Sequence, residues 1–297
     1  MKIILTGSLG HIGKPLTEEL VQKGHAVTVI SSKSEKQHDI EALGARAAIG
    51  SIEDAQFLTT AFTGADVVYA MIPPPNFFDH TLDMMAHCKK IAGNYVQAIQ
   101  QSGVKRVVYL SSIGAHLDKN SGLILLHHAA EKIMNQLSGV DITFMRPVAF
   151  YYNLFGFIRG IKNIGMIASN YGAEDTVAWV SPIDIAAAIA EELVTPHTGT
   201  KIRYVASEEL TCNEVAAILG TAIGKHDLKW IVIPAEELQT TLIGFGMAPK
   251  MVADYVEMNT SMHTGELFSD YYLNKPTLGK IKLKEFATEF AAVYNQQ

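Results

Sequence analysis

Three glycines at intervals of three, in Thr6-Gly7-Ser8-Leu9-Gly10-His11-Ile12-Gly13, follow the apolar run Ile3-Ile4-Leu5. They precede a stretch whose apolar residues fall at Ile12, Leu16, Leu20 and Val21. The first run reads as a short strand and the second has helical spacing, so the glycines lie in a strand–loop–helix unit. Each glycine has its own physical use there: a tight turn, a backbone that lets a bulky anion approach, and close packing of helix on strand. The N–H groups at the start of the helix lack intrahelical partners and favour the pyrophosphate of a dinucleotide. The contacts expected from this segment are Thr6, Gly7, Leu9, Gly10, His11, Ile12 and Gly13.

The alternation continues. Residues 26–30, 47–49, 66–72, 106–110 and 142–145 read as strands, and 40–43, 53–62, 80–102 and 123–137 as helices between them. Strands separated by helices of these lengths form a parallel sheet covered on both faces, with right-handed crossovers. The expected class is α/β, with a doubly wound Rossmann sheet over 1–150 and a smaller, mainly helical substrate lobe over 151–297. A strand is expected over 176–180, a helix over 184–194 and a strand over 202–206, some of these elements returning to the first domain. Thr211 or Asn213 is the expected cap of a helix over 214–223. The aromatic run Phe150, Tyr151, Tyr152, Phe155 and Phe157 fits a core, a substrate wall or lid being the other use of such a segment.

With 297 residues, 48% of them hydrophobic, the chain has ample material for a large core. A formal net charge of −6 gives no general attraction to nucleic acid or to an anionic membrane, so neither is an expected partner. Bound anions must be held by local geometry. The longest apolar stretch, 148–158, is interrupted by Asn153 and is too short to cross a bilayer. Cys88 and Cys212 lack metal-ligand spacing and read as free thiols, so no metal is expected. Met1-Lys2 leads straight into a strand, without the apolar core and cleavage site of a secretory signal, and the expected location is the cytoplasm.

The end of the second strand distinguishes NAD from NADP. A carboxylate there binds the ribose hydroxyls and repels a 2′-phosphate. Here the strand runs into Ser31-Ser32-Lys33-Ser34, with no acid before Glu35. Two hydroxyls and an ammonium suit a phosphate, so Ser31, Ser32 and Lys33 are the expected contacts and NADP(H) the expected cofactor. A stiff turn, Pro73-Pro74-Pro75, follows the fourth strand, and by position Met71, Ile72 and Pro73 flank the cofactor. Ser111 and Ser112 follow the fifth strand at the carboxyl edge of the sheet, where ligands of such sheets bind.

Further segments accompany the glycine loop. They are Gly64-Ala65-Asp66-Val67-Val68, Gly103-Val104-Lys105-Arg106-Val107-Val108-Tyr109-Leu110-Ser111-Ser112, Gly139-Val140-Asp141-Ile142-Thr143-Phe144-Met145-Arg146-Pro147 with Asn153, and Ser181-Pro182-Ile183-Asp184-Ile185-Ala186. Together they resemble the atypical and extended short-chain dehydrogenases, and most of all the NmrA-like group, over roughly the first two-thirds of the chain. That group includes NADPH-dependent quinone reductases, triphenylmethane dye reductases and redox-sensing transcriptional co-regulators. The resemblance therefore implies a reductase of a small electrophilic acceptor, or an NADP(H)-binding sensor acting through a regulatory protein partner. A homodimer is compatible with both.

Two departures from the group stand out. The third strand ends in Gly50-Ser51 where relatives carry Gly-Asp, which removes an adenine contact. The Tyr-x-x-x-Lys pair that protonates a carbonyl is absent. His128-x-x-x-Lys132 has the spacing, but relatives commonly carry a glutamate four residues after the lysine, at a fixed distance before Arg-Pro, and Glu131 occupies that place. His127 then stands in the lysine slot and Leu123 in the tyrosine slot. On a helix His127 and Glu131 share a face, and His128 projects about 100° away. The expected catalytic residues are His127, Ser111 and Ser112. His127, titrating near neutrality, would orient or protonate the acceptor, with a structural pairing to Glu131 as its other reading. A quinone or cationic dye accepts hydride with less help than a ketone. The missing tyrosine points toward such acceptors and away from a nucleotide-sugar epimerase or dehydratase.

Overall fold

The computed structural model describes residues 1–296. The first half alternates as the sequence does: β1 (Lys2–Leu5), α1 (Gly13–Gln22), β2 (Ala26–Ser31), α2 (Gln37–Ala42), β3 (Arg46–Ile49), α3 (Ala55–Phe62), β4 (Val67–Met71), α4 (Met84–Ser102), β5 (Arg106–Leu110), α5 (Leu125–Met134) and β6 (Asp141–Pro147). The second half adds β7 (Ala149–Phe150), α6 (Ile158–Ile164), β8 (Ile167–Ser169), β9 (Thr176–Val180), α7 (Pro182–Val194), β10 (Thr200–Val205), β11 (Glu208–Thr211), α8 (Cys212–Ala222) and β12 (Trp230–Val232). It ends in α9 (Ala235–Gly244), α10 (Pro249–His263), α11 (Ser269–Leu273) and α12 (Leu283–Gln296).

Seven strands form one parallel sheet in the order β10-β6-β5-β4-β1-β2-β3. The order reverses between β1 and β4, where Leu5 pairs with Tyr69. In open α/β sheets that reversal is where a crevice opens above the carboxyl ends of the strands. The alternation of side chains along each strand divides the core. Ile3, Leu5, Val29, Val67 and Tyr69 face α1 and α7, and Ile4, Ile30, Val68, Ala70 and Tyr109 face α3, α4 and α5.

Within 176–206, α7 packs against α1 and β10 pairs with β6 in this sheet. β9 does not join it. It lies between β7 and β11 in a small sheet of its own. The α1-side core continues without a break through Trp179 and Trp230 to Phe290, so the two halves share one apolar cluster. Two helix starts also move. α4 begins at Met84, not at residue 80, because the Asp83 carboxylate accepts from the Ala86 N–H and caps it. α5 is preceded by a 3₁₀ turn over Gly122–Ile124, where α10 crosses so closely that a Cβ on Gly122 would lie 1.8 Å from the Asp254 carbonyl oxygen. Thr211, not Asn213, caps α8, with Glu214 completing a capping box. Among the described residues no helix is long and apolar enough to cross a membrane. Cys88 and Cys212 are buried free thiols in separate core clusters.

Candidate active site at the carboxyl edge of the sheet

The glycine loop crosses the reversal point, and its three glycines serve three different constraints. Gly7 has φ +91° and lies against Met71, whose Sδ would be 2.7 Å from a Cβ there. Gly13 tucks under the loop, where a Cβ would be 2.1 Å from the Ser8 carbonyl oxygen. Gly10 is different: a Cβ on it meets nothing nearer than the Gly7 carbonyl oxygen at 3.9 Å, so its open side faces outward. Beyond it α1 begins at Ile12 with no side-chain cap and no acid in its first turn. The loop thus offers a backbone surface and unpaired N–H groups to an anion. Ser8, which the sequence reading passed over, holds a left-handed φ of +57°. Its N–H donates to the Ile30 carbonyl at 3.1 Å and its hydroxyl to Ser31 Oγ at 3.0 Å.

Thr6 is buried. It accepts from the Met71 N–H at 3.0 Å, and the Tyr95 hydroxyl, 3.3 Å away, donates to the Met71 carbonyl at 2.7 Å. Thr6 and Tyr95 thereby lock the ends of β1 and β4 to α4 and set the floor beneath the loop. Ser31 is also buried and accepts from the Lys33 N–H at 3.2 Å, so it shapes the turn. Ser32 and Lys33 are exposed beside it. On the α1 side, His11 stacks on Tyr152 at 4.7 Å, and a cavity of about 650 Å³ opens between Gly10, His11, Tyr152 and Phe286. Tyr152 is the member of the aromatic run that reaches the loop. Tyr151 and Leu154 are core, and Phe155 packs on Phe286 and Phe290.

On the α5 side the segment after β5 is tied down by charge. Arg146 grips Glu131 with both arms, Nε to Oε1 at 2.9 Å and Nη2 to Oε2 at 2.7 Å, and the Ser111 hydroxyl donates to the same Oε1 at 2.6 Å. Arg146 also reaches Tyr204 Oη at 3.2 Å and Asp270 at 3.3 Å, and the Tyr204 hydroxyl donates to Asp270. This buried chain joins α5, β5, β6, β10 and α11. It accounts for the fixed distance from Glu131 to Arg146-Pro147, since both must reach the same point above the sheet. Ser111 is committed to it, while Ser112 beside it is half-buried. No sequence signal pointed to Asp270, which lies 124 residues beyond Arg146.

His127 stands one turn above Glu131 but does not hydrogen-bond to it. It lines a small cavity with Ile72, Pro73, Cys88 and Tyr109. Leu123 packs near Met84 and Met251, an apolar contact in the slot where relatives place tyrosine. The expectation that His127 titrates near neutrality is corrected. Desolvation by the protein around the ring lowers its pKa to about 4, against the opposing pull of the Glu131 charge. Its imidazole is neutral at neutral pH and presents one N–H and one lone pair. His128 points elsewhere, with Nδ1 3.1 Å from the Ala115 carbonyl oxygen, which makes it a structural residue of the turn.

The model of the NmrA-like family matches residues 1–282. The chain belongs to the NmrA-like family. The match runs well past the first two-thirds that carry recognisable motifs. This NmrA-like chain is 26% identical over 254 residues to an NAD(P)H azoreductase of Xenophilus azovorans, covering 85% of itself and 84% of that protein. Its fold matches an NADPH-dependent quinone oxidoreductase of Escherichia coli, solved with NADPH, at TM-score 0.81 and 21% identity over 97% of this chain and 99% of that one. It matches the triphenylmethane reductase of Citrobacter sp. at TM-score 0.81 and 22% identity, over 98% and 100%. These two likenesses are of fold: a seven-stranded parallel Rossmann-like sheet with flanking helices.

Proposed function

We propose that this NmrA-like chain is an NADPH-dependent reductase that delivers hydride to a small electron-poor acceptor, such as a quinone or a cationic dye. The observation that carries the reading is the open face of Gly10 against the uncapped start of α1, at the reversal of the strand order, with Ser32 and Lys33 exposed after β2 and His127 lining a cavity with Ile72 and Pro73 after β4. The pyrophosphate would be held by Gly10 and the first turn of α1, the 2′-phosphate by Ser32 and Lys33, and the nicotinamide end by Met71, Ile72 and Pro73. NADPH bound there supplies the hydride. The relatives named for NADPH, quinones, azo compounds and triphenylmethane dyes support both the cofactor and the acceptor class.

The chain's own groups do the positioning. Holding donor and acceptor together provides most of the acceleration. Leu123 carries no proton, so alkoxide chemistry has no partner in that slot. The neutral His127 donates one hydrogen bond to the acceptor oxygen as charge builds on it. Solvent supplies the proton that completes the hydroquinone.

His127→Ala lowers kcat with a quinone about tenfold, the value of one hydrogen bond in the transition state, and leaves NADPH affinity nearly unchanged. His128→Ala changes kcat much less. Because His127 loses its charge at about pH 4, kcat stays flat through the neutral range and shows no break near the ordinary histidine pKa. Steady-state kinetics of both variants across pH tests this, and the opposite ranking of the two histidines overturns the assignment.

Lys33 makes no ion pair among the described residues and is free for a phosphate. Lys33→Asp weakens NADPH by roughly tenfold or more, losing one charge-assisted hydrogen bond and placing a carboxylate beside the 2′-phosphate, while NADH binding stays nearly constant. Parallel titrations of the two cofactors read the difference. Equal affinity for NADH and NADPH in the unmodified protein would contradict the cofactor assignment.

A further inference from the structure

The small cavity beneath His127 contains an unpaired donor. Tyr109 lies on β5 at 0% exposure, its ring edge-on to Phe144 at 6.0 Å, and its hydroxyl has no hydrogen-bond partner among the described residues. A buried hydroxyl left unpaired costs about 1–3 kcal/mol, so such groups are found with a partner. Cys88, on the same wall, is already engaged, its thiol donating to the Leu126 carbonyl at 3.2 Å. The cavity measures about 50 Å³ and is lined by Pro73, Pro74 and Pro75 on the side of β4. That volume has room for ordered water, which on the same measure needs roughly 10–15 Å³ and two or more polar partners. The other polar group of suitable chemistry on the cavity wall is the His127 imidazole, with His87 further along α4.

We propose that Tyr109 is a positioning residue: through one ordered water in this cavity it fixes the tautomer of His127, so that the ring N–H points out toward the acceptor. The inference rests on the reductase reading for its kinetic consequence but not for its geometry. The Tyr109 O–H donates to the water, and the water donates to the lone pair of His127. The imidazole proton is then confined to the outward nitrogen. Burial holds the Tyr109 pKa well above its ordinary value, so the phenol keeps its proton and stays a donor. No bond is broken, and the pair serves to orient the ring. This supplies from β5 an orienting hydroxyl that Leu123, in the turn before α5, does not.

The test is Tyr109→Phe, which removes one oxygen and keeps the ring that packs on Phe144. Protein labelled with ¹⁵N-histidine, free of cofactor, shows a single tautomer for His127 in its ring nitrogen shifts, and the variant shows a mixture. With NADPH and a quinone, kcat falls about two- to fivefold as the competent tautomer loses population, while NADPH affinity and the melting temperature hold. A Tyr109→Phe protein with the same His127 ring shifts as the wild type overturns the proposal. A wild type that turns over no quinone, yet shows the tautomer change, leaves the Tyr109–His127 link standing and removes the reductase reading instead.

Discussion

Gly10→Val abolishes nucleotide binding and leaves the fold intact. The protein around Gly10 has room for a side chain, since a Cβ there meets nothing closer than 3.9 Å, and its backbone is not in the left-handed region. The space the valine fills is the space the pyrophosphate needs. The bound anion would lose its backbone N–H partners and meet an apolar group, so affinity falls by a factor of about 100 or more, as for the loss of two charge-assisted hydrogen bonds. Stability changes by about 0.5 kcal/mol or less, as at other open positions. Gly13→Ala behaves in the opposite way. Its Cβ would sit 2.1 Å from a backbone carbonyl, and the loop must move or the domain lose stability. Cofactor titration and thermal melting on the two variants separate the roles, and NADPH binding retained by Gly10→Val would move the phosphate site elsewhere.

Arg146→Met destabilises the protein by about 3–5 kcal/mol, because it strands the Glu131 carboxylate in a site where both partners are nearly buried. The side chains are 4% and 8% exposed, so water cannot replace the guanidinium without opening the interface between α5 and β6. Adding Glu131→Leu to Arg146→Met recovers a large part of the loss, since two apolar groups of similar size need no partners. Urea unfolding of the two single variants and the double variant gives the coupling. If the double variant is no more stable than Arg146→Met, the ion pair is not what holds this region. Quinone turnover falls in the single variant as well, because Ser111 and the helix carrying His127 lose the same anchor.

The glycine loop was legible because each glycine answers a local demand, and a strand before it and a helix after it leave few other uses for that spacing. The parallel sheet was legible through the β–α rhythm, and the different directions of His127 and His128 through helix geometry. What escaped depends on partners far along the chain. β11 begins with Glu208 and Glu209, where no strand was expected. In the fold Glu208 accepts from Tyr151 and Glu209 from Tyr271 and Lys275, so the carboxylates are satisfied on a strand. The shift of His127 away from neutrality also lay outside the sequence, since it comes from packing that α4 and the proline turn complete. Ser31 read as a phosphate contact from its position, and the fold uses its hydroxyl to hold Ser8 and the turn.

The central claim is that hydride leaves the nicotinamide for an electron-poor acceptor in this site. Anaerobic single turnover with NADPH deuterated at the transferred position, mixed with the protein and a small quinone, tests it most directly. The account predicts loss of the reduced-nicotinamide absorbance only when protein and acceptor are both present, one hydroquinone formed per NADPH, and a slower rate with the deuterated cofactor. With a cationic triphenylmethane dye in place of the quinone, the deuterium ends on the central carbon of the reduced dye. Tight NADPH binding with no oxidation by any quinone or cationic dye would contradict it and leave a nucleotide-binding sensor as the function of this fold.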